Sequence, residues 1–305
     1  MKILIATEKP FAAAAVEGMR EIVEKAGLEL ALLEKYTDRQ QLLDAVADAE
    51  GLIVRSDKVT AEVVEHAPKL KIVVRAGAGY DNIDLAACSA RGIVAMNTPG
   101  QNSNAVAELA IGLMIYMARN NFRPGTGSEL KGKTLGIQAY GNVGRLVAKL
   151  AQGFGMRVLA FDPFVPAEKM STEGVTPVAD LNELYRQSNY VSLHIPANEQ
   201  TKKSINYGLM NLMPKGACLV NTARKEVIDE VDLARILEER PDFKYVADVA
   251  PESYAELREK FDARIFATPK KMGAETAEAN INAGLAAARQ AVGYLKEGVE
   301  RFRVN

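Results

Sequence analysis

Residues 134–162 read TLGIQAYGNVGRLVAKLAQGFGMRVLAFD. Leu135, Ile137 and Ala139 fall on alternate positions, as in a strand, and Val143, Leu146, Val147 and Leu150 fall at helical spacing. A second apolar run, Val158 to Phe161, ends in Asp162, eighteen residues beyond Gly144. Strand, glycine turn, helix and strand closing on an acid is the order of a dinucleotide-binding βαβ unit. Gly141 lets the main chain approach a pyrophosphate, Gly144 lets the helix pack on its strand, and the helix start offers unpaired N–H groups to an anion. Asp162 then accepts from the ribose hydroxyls and repels a 2′-phosphate, which favours NAD over NADP. The first glycine of the motif is Ala139 here, so the pattern is A-x-G-x-x-G. Taken alone, an ordinary βα turn fits it too.

The 305 residues are enough for two cores, and 48% hydrophobic with 25% charged residues is a globular composition. A net charge of −1 and the lack of a basic run argue against nucleic acid or an anionic membrane as partner. The longest apolar segment, residues 105–118, is too short to span a bilayer and contains Glu108. The chain enters a strand pattern directly at KILIAT, so no signal peptide is expected. Cys88 and Cys218 have no metal-ligand spacing, so no metal site is expected and a reduced, cytoplasmic protein is.

Outward from residue 134, β-rich runs alternate with helical spacing on both sides. They are Ile3 to Ala6, Leu28 to Leu33, Leu52 to Arg55, Ile72 to Arg75 and Ile93 to Met96 before it, and Tyr190 to Ile195, Cys218 to Asn221, Tyr245 to Val249 and Ile265 to Ala267 after it. Such alternation predicts an α/β protein with parallel, doubly wound sheets. Asn97-Thr98-Pro99-Gly100 punctuates the chain before a long helical pattern from Ser103 to Met117. The alanine-rich stretch Ala274 to Leu295 predicts a single helix that returns to the first domain. The expected boundaries are 1–98 with 277–305 for one domain and 99–276 for the other, with the active cleft between them. Strand ends at Arg55-Ser56 and Gly77-Ala78-Gly79 are ligand candidates or plain turns.

Further stretches resemble one family. VRSDKVTAEVVEHAPKLKIVVRAGAGYDNID at 54–84, NTPGQNSNAVAE at 97–108, SLHIPANEQT at 192–201, MPKGACLVNTARKEVIDE at 213–230 and ADV at 247–249 appear in order around the dinucleotide unit. With them the chain resembles the D-isomer-specific 2-hydroxyacid dehydrogenases over nearly its full length. The resemblance implies a Rossmann nucleotide domain inserted into a flavodoxin-like substrate domain. It also implies NAD held by Tyr140, Gly141, Asn142, Val143, Gly144, Asp162, His194, Ile195, Pro196, Thr201, Thr222, Ala223 and Asp248, the last at the nicotinamide carboxamide. Arg55, Ser56, Gly77, Ala78, Gly79 and Asn102 match the substrate segments, with Arg55 on a phosphate and Arg75 in reserve.

Arg224 ends the NTAR strand, where the family has a carboxylate-binding arginine whose planar fork suits a 2-hydroxy or 2-oxo acid. The family's histidine after Thr-Pro is Lys270 here, and its supporting Glu falls on Ser253, with Glu252 one residue short. The two departures are coherent, because a carboxylate helps a histidine base but would hold a lysine in its charged form. Lys270 is therefore expected to take the proton once burial between the domains, with Lys271 and Arg224 near, favours its neutral amine. Glu252 stays a candidate for a part in catalysis. The expected reaction is NAD-dependent oxidation of 3-phospho-D-glycerate to 3-phosphohydroxypyruvate, at the start of serine synthesis. Glycerate, lactate or a dinucleotide-sensing role without turnover are the alternatives. The resemblance further implies a homodimer, with the helix of residues 105–118 contributing, and a short form with no regulatory domain after Asn305.

Overall fold

Strand β1 (Lys2–Thr7) sorts its side chains by parity, as a pleated strand must. Leu4 and Ala6 join one buried cluster with Leu52, Val54, Val73 and Ala95, while Ile3 and Ile5 join another with Ile53, Ile72, Val74 and Val94. Two apolar faces have to be covered on both sides, which is how parallel sheets are stabilised. The computed structural model describes residues 1–305. The chain divides into two units, Met1–Asn102 with Glu275–Asn305, and Ser103–Ala274.

In the first unit β1, β2 (Glu29–Glu34), β3 (Gly51–Val54), β4 (Ile72–Arg75) and β5 (Val94–Asn97) form a parallel sheet in the order β2-β1-β3-β4-β5. This is the flavodoxin-like order, and its reversal lies between β1 and β3. Arg55 follows β3 directly, so it stands at that reversal. The helix Ala277–Glu297 covers the Ile3 face with Ala283, Ala287, Ala288 and Ala291. Small residues are needed there. A Cβ on Gly284 would lie 3.2 Å from Met19 Sδ, and one on Gly18 would lie 2.5 Å from Leu285. The alanine content is thus what close packing on the helix Ala13–Lys25 demands. Thr276 starts the last helix by accepting the Ala279 N–H at 3.1 Å, and Gly298, at φ 69°, ends it. Beyond it the chain runs beside β5, where Val304 N–H donates to the Ala95 carbonyl at 2.9 Å.

The second unit carries β6 (Thr134–Gln138), β7 (Arg157–Phe161), β8 (Thr176–Pro177), β9 (Tyr190–Leu193), β10 (Cys218–Asn221), β11 (Lys244–Ala247) and β12 (Ile265–Ala267). Their order is β12-β11-β10-β9-β6-β7-β8, parallel throughout. This is the Rossmann order with one strand added, and its reversal lies between β6 and β9. Leu135, Ile137, Val220 and Val246 face the helix Ser103–Ala118 through Ala107, Ala110 and Met114. Leu159, Val191, Leu193, Leu219 and Tyr245 form the core on the opposite face. Each such aliphatic side chain contributes roughly 1.5–3 kcal/mol on burial. The doubly wound parallel sheets predicted from the alternation are therefore both present. No helix is long and apolar enough to cross a membrane.

Candidate active site

One line of register partners crosses the second sheet: Phe161, Gln138, Leu193, Asn221, Ala247 and Ala267, from β7 through β6, β9, β10 and β11 to β12. The residues that come next are Asp162, Ala139, His194, Thr222, Asp248 and Thr268. Ladder bonds continue into this row, for example His194 N–H to Gln138 O at 3.0 Å and Asp248 N–H to Asn221 O at 2.9 Å. Neighbouring strands are about 4.8 Å apart, so the row is an evenly spaced edge. Every candidate residue of this unit follows one of these strand ends, where open α/β sheets bind ligands.

At the reversal, Ala139 takes φ 77°, the left-handed conformation a glycine would hold without strain. Gly141 then begins the helix Asn142–Gly153, and no side chain caps that end. A Cβ on Gly141 would meet nothing within 4 Å, whereas one on Gly144 would lie 2.3 Å from the Ala139 carbonyl. Gly141 thus borders open space and Gly144 is a contact between helix and strand. Asp162 Oδ2 accepts the Tyr140 N–H at 2.7 Å and Oδ1 accepts the Phe164 N–H at 2.8 Å. Tyr140 itself is buried, with its hydroxyl donating to Glu173 at 2.8 Å, so both of its donors are engaged within the chain. The N–H groups left for a phosphate are the unpaired ones at the start of the helix, from Gly141 on.

Beside the β6 end, after the adjacent strands β9 and β10, lie two buried polar atoms without a partner, His194 Nε2 and Thr222 Oγ1. Buried groups of this kind mark a place where something else supplies the hydrogen bond. Burial pushes the His194 imidazole down to about 3, so it is neutral. Ile195 and Pro196 continue from it, and Thr201 folds this loop by donating its hydroxyl to Pro196 O at 2.5 Å and accepting the Asn198 N–H at 2.9 Å. An uncapped helix start, open space at Gly141, a carboxylate at Asp162 and two orphaned polar atoms fit a dinucleotide laid along the edge.

Arg224 is half-buried three residues after β10. Asn221, 2% exposed, donates to the Arg224 carbonyl at 2.9 Å and accepts the Ala223 N–H at 3.0 Å, which fixes the backbone of the turn. The guanidinium donates to the Ala223 carbonyl at 2.9 Å and has no carboxylate partner, so most of its fork is open to an incoming acid. Asn221 is the residue sequence reasoning missed, although it stands inside the NTAR motif. Lys270 occupies the equivalent place after β12. One strand, β11, separates it from Arg224, so the two strand ends are two spacings or about 10 Å apart, which is room for a small hydroxy acid.

Within the second unit Lys270 stands on an exposed segment. Pro269 lacks an N–H with which to extend the ladder, and residues 269–272 are all exposed. Glu252 also points away from a catalytic part: its side chain is 82% exposed and pairs with Lys225 at 3.1 Å. The carboxylate that organises this segment is Glu230, which accepts the Glu252 and Ser253 N–H groups, both at 2.8 Å. Asp248 is turned toward residues 272 and 273, where its oxygens accept backbone N–H groups. No group of three His, Cys, Asp or Glu side chains is placed to hold a metal ion.

In the first unit Arg55 is tied down. Nη1 donates to the Lys9 and Pro10 carbonyls at 3.1 and 3.0 Å, Nη2 to Asn280 Oδ1 at 2.7 Å, and the guanidinium lies 5.2 Å from the Phe11 ring centre. Arg75 Nε donates to the Arg55 carbonyl at 3.0 Å. Gly77, at φ 153°, leaves room for that guanidinium, since a Cβ there would overlap it. Asn97 donates to the Ala78 carbonyl at 2.6 Å and steadies the loop that continues to Gly79. Ser56 is exposed and Asn102 half-buried. Asp57, which sequence reasoning passed over, is buried and accepts from Glu8 N–H at 2.7 Å and Tyr36 hydroxyl at 2.9 Å.

Comparison with known proteins bears on this edge. Residues 111–270 match the family model described as D-isomer specific 2-hydroxyacid dehydrogenase, NAD binding domain. The chain is 38% identical over 267 residues to a D-3-phosphoglycerate dehydrogenase of Methanocaldococcus jannaschii, covering 83% of this chain and 51% of that one. It is also 38% identical over 279 residues to a hydroxypyruvate reductase of Thermotoga maritima, covering 84% and 88%. The chain thus spans about half the length of the first of these relatives and most of the second. Among solved structures it superposes on NAD+-bound 3-phosphoglycerate dehydrogenase of Entamoeba histolytica with a TM-score of 0.88 and 50% identity, covering 100% of this chain and 98% of that one.

Proposed function

The chain belongs to the D-isomer specific 2-hydroxyacid dehydrogenases, and we propose that it uses NAD to oxidise 3-phospho-D-glycerate to 3-phosphohydroxypyruvate, the entry step of serine synthesis. The observation that carries this reading is the pair of strand ends at Arg224 and Lys270, two strands apart on the edge that begins with the Asp162 and Gly141 turn. Arg224, free of any carboxylate in the chain, grips the substrate carboxylate through two parallel N–H bonds. Its charge also faces the C2 oxygen as negative charge builds there. Lys270 takes the proton of the C2 hydroxyl, and the electron pair of that O–H bond forms the carbonyl as the hydride leaves C2. Bound NAD supplies the acceptor for that hydride. Asn221 keeps the Arg224 backbone from rotating away.

Support for the phosphorylated substrate comes from the relatives named for it, at 38% and 50% identity. A second reading, reduction of hydroxypyruvate or oxidation of D-glycerate, is favoured by the engagement of Arg55 with Lys9, Pro10 and Asn280. Steady-state NADH formation across 3-phospho-D-glycerate, D-glycerate and D-lactate separates the two. The proposal expects kcat/KM to be greatest for the phosphorylated acid by at least tenfold, and equal or reversed values overturn it. The protein acts as a homodimer in this reading, which light scattering of the purified chain tests.

A further inference from the structure

Asp248 is 1% exposed, and a buried carboxylate is costly unless hydrogen bonds fill its lone pairs. Here the donors come from the loop that carries Lys270. Oδ1 accepts the Met272 N–H at 2.7 Å, and Oδ2 accepts the Gly273 N–H at 2.9 Å. On the other side of Lys270, Thr268 Oγ1 lies 3.1 Å from Asp248 Oδ1 and 2.7 Å from the Lys270 carbonyl. The carboxylate therefore holds the loop after the lysine, while the Thr268 hydroxyl, which also meets the Asp248 carbonyl, bridges residue 248 to the Lys270 carbonyl. Gly273 is what permits so close an approach, because a Cβ there would sit 2.8 Å from Oδ2. Residues 269–272 are exposed and outside any strand, so nothing in a sheet ladder fixes them.

We propose that Asp248 is the positioning residue for Lys270: it anchors the loop so that the amine stands at one place on the sheet edge, and Gly273 is the glycine that makes the anchor possible. The inference rests on reading Lys270 as the proton acceptor. Charge-assisted hydrogen bonds from two consecutive backbone N–H groups give both strength and direction, which a base needs if its amine is to meet one hydroxyl. Both oxygens of Asp248 accept from this loop, so the segment that carries Lys270 is bonded to the residue that the resemblance sets at the nicotinamide carboxamide.

The test compares Asp248→Asn, Gly273→Ala and Lys270→Ala in the intact protein. Asp248→Asn turns one acceptor into a donor that faces a backbone N–H. Gly273→Ala pushes the loop away without removing the charge, and serves if the first variant fails to fold. The expected results are at least tenfold faster amide exchange at Met272 and Gly273 and a kcat lower by roughly 10- to 100-fold. NAD affinity of Gly273→Ala, read by fluorescence titration, should stay within about twofold, and on the Lys270→Ala background either change should lower kcat by less than about twofold further. Unchanged exchange, losses that add on that background, or weakened NAD binding at normal kcat would each overturn the anchor. Full turnover by Lys270→Ala alone would instead remove the acid/base reading, while the exchange measurement would still decide whether Asp248 holds the loop.

Discussion

Asp162 accepts the backbone N–H of Tyr140 at 2.7 Å, so the acid that ends β7 is bonded to the glycine turn that follows β6. The two parts of the nucleotide site are held in register by the chain itself. Each carboxylate oxygen still has a lone pair to offer, which is what ribose hydroxyls require.

Replacing Asp162 with Ala removes both the acceptor and the charge. Hydrogen bonds to a charged group are worth about 1.5–3 kcal/mol, so the Kd for NAD should rise roughly 10- to 100-fold. Discrimination against NADP should shrink at the same time. Calorimetric titration of both nucleotides checks this, and unchanged preference would detach Asp162 from the ribose.

Ala139 stands at φ 77°, where an L side chain is strained by about 1–2 kcal/mol. Ala139→Gly relieves that strain but enlarges the freedom of the unfolded chain, which returns part of the gain. The net expectation is about 0.5–1 kcal/mol of added stability in urea unfolding, with NAD affinity within about twofold. A loss of stability would contradict it.

His194 couples stability to pH. Its unfolded form takes up a proton as pH falls through about 6.5, whereas burial delays protonation of the folded form to about 3. Between those values the unfolded state binds more protons, so stability is full above about 6.5 and declines as pH falls. The slope from this group is about 1.4 kcal/mol per pH unit. His194→Gln should flatten the curve from pH 6.5 to about 5, above the range in which carboxylates protonate. Parallel curves would show that the imidazole takes its proton without unfolding.

Arg55 ties the turn after β1 to the last helix through Lys9, Pro10 and Asn280. Arg55→Ala should therefore lower unfolding free energy by about 1–2 kcal/mol, partly screened because the group is half-exposed. Thermal unfolding reads this directly.

What could be read from sequence follows from how local each signal is. The strand and helix at 134–153 are legible because Leu135 and Ile137 alternate while Val143, Leu146, Val147 and Leu150 recur at helical spacing, and each pattern is set within a few residues. Strand β8 is not, since two residues ending in Pro177 carry no period, and an edge position tolerates a proline. The last helix begins at Ala277 rather than Ala274, because the cap is made by Thr276 reaching Ala279, a contact that alanine periodicity does not reveal. Arg224 and Lys270 are visible as residue types at strand ends. The exposure of Lys270, the outward turn of Glu252 and the partners of Asp248 and Asp57 are tertiary facts, formed with residues more than twenty positions away or by the path taken after Pro269.

The most direct measurement is the initial rate of NADH formation from NAD and 3-phospho-D-glycerate by the intact protein, beside Arg224→Lys and Lys270→Ala. The account predicts turnover by the unaltered chain and losses of roughly 100- to 1,000-fold in kcat/KM for each variant, since each removes a group aimed at the reacting oxygen. NAD that binds without any NADH appearing, or a Lys270→Ala protein as fast as its parent, would contradict it.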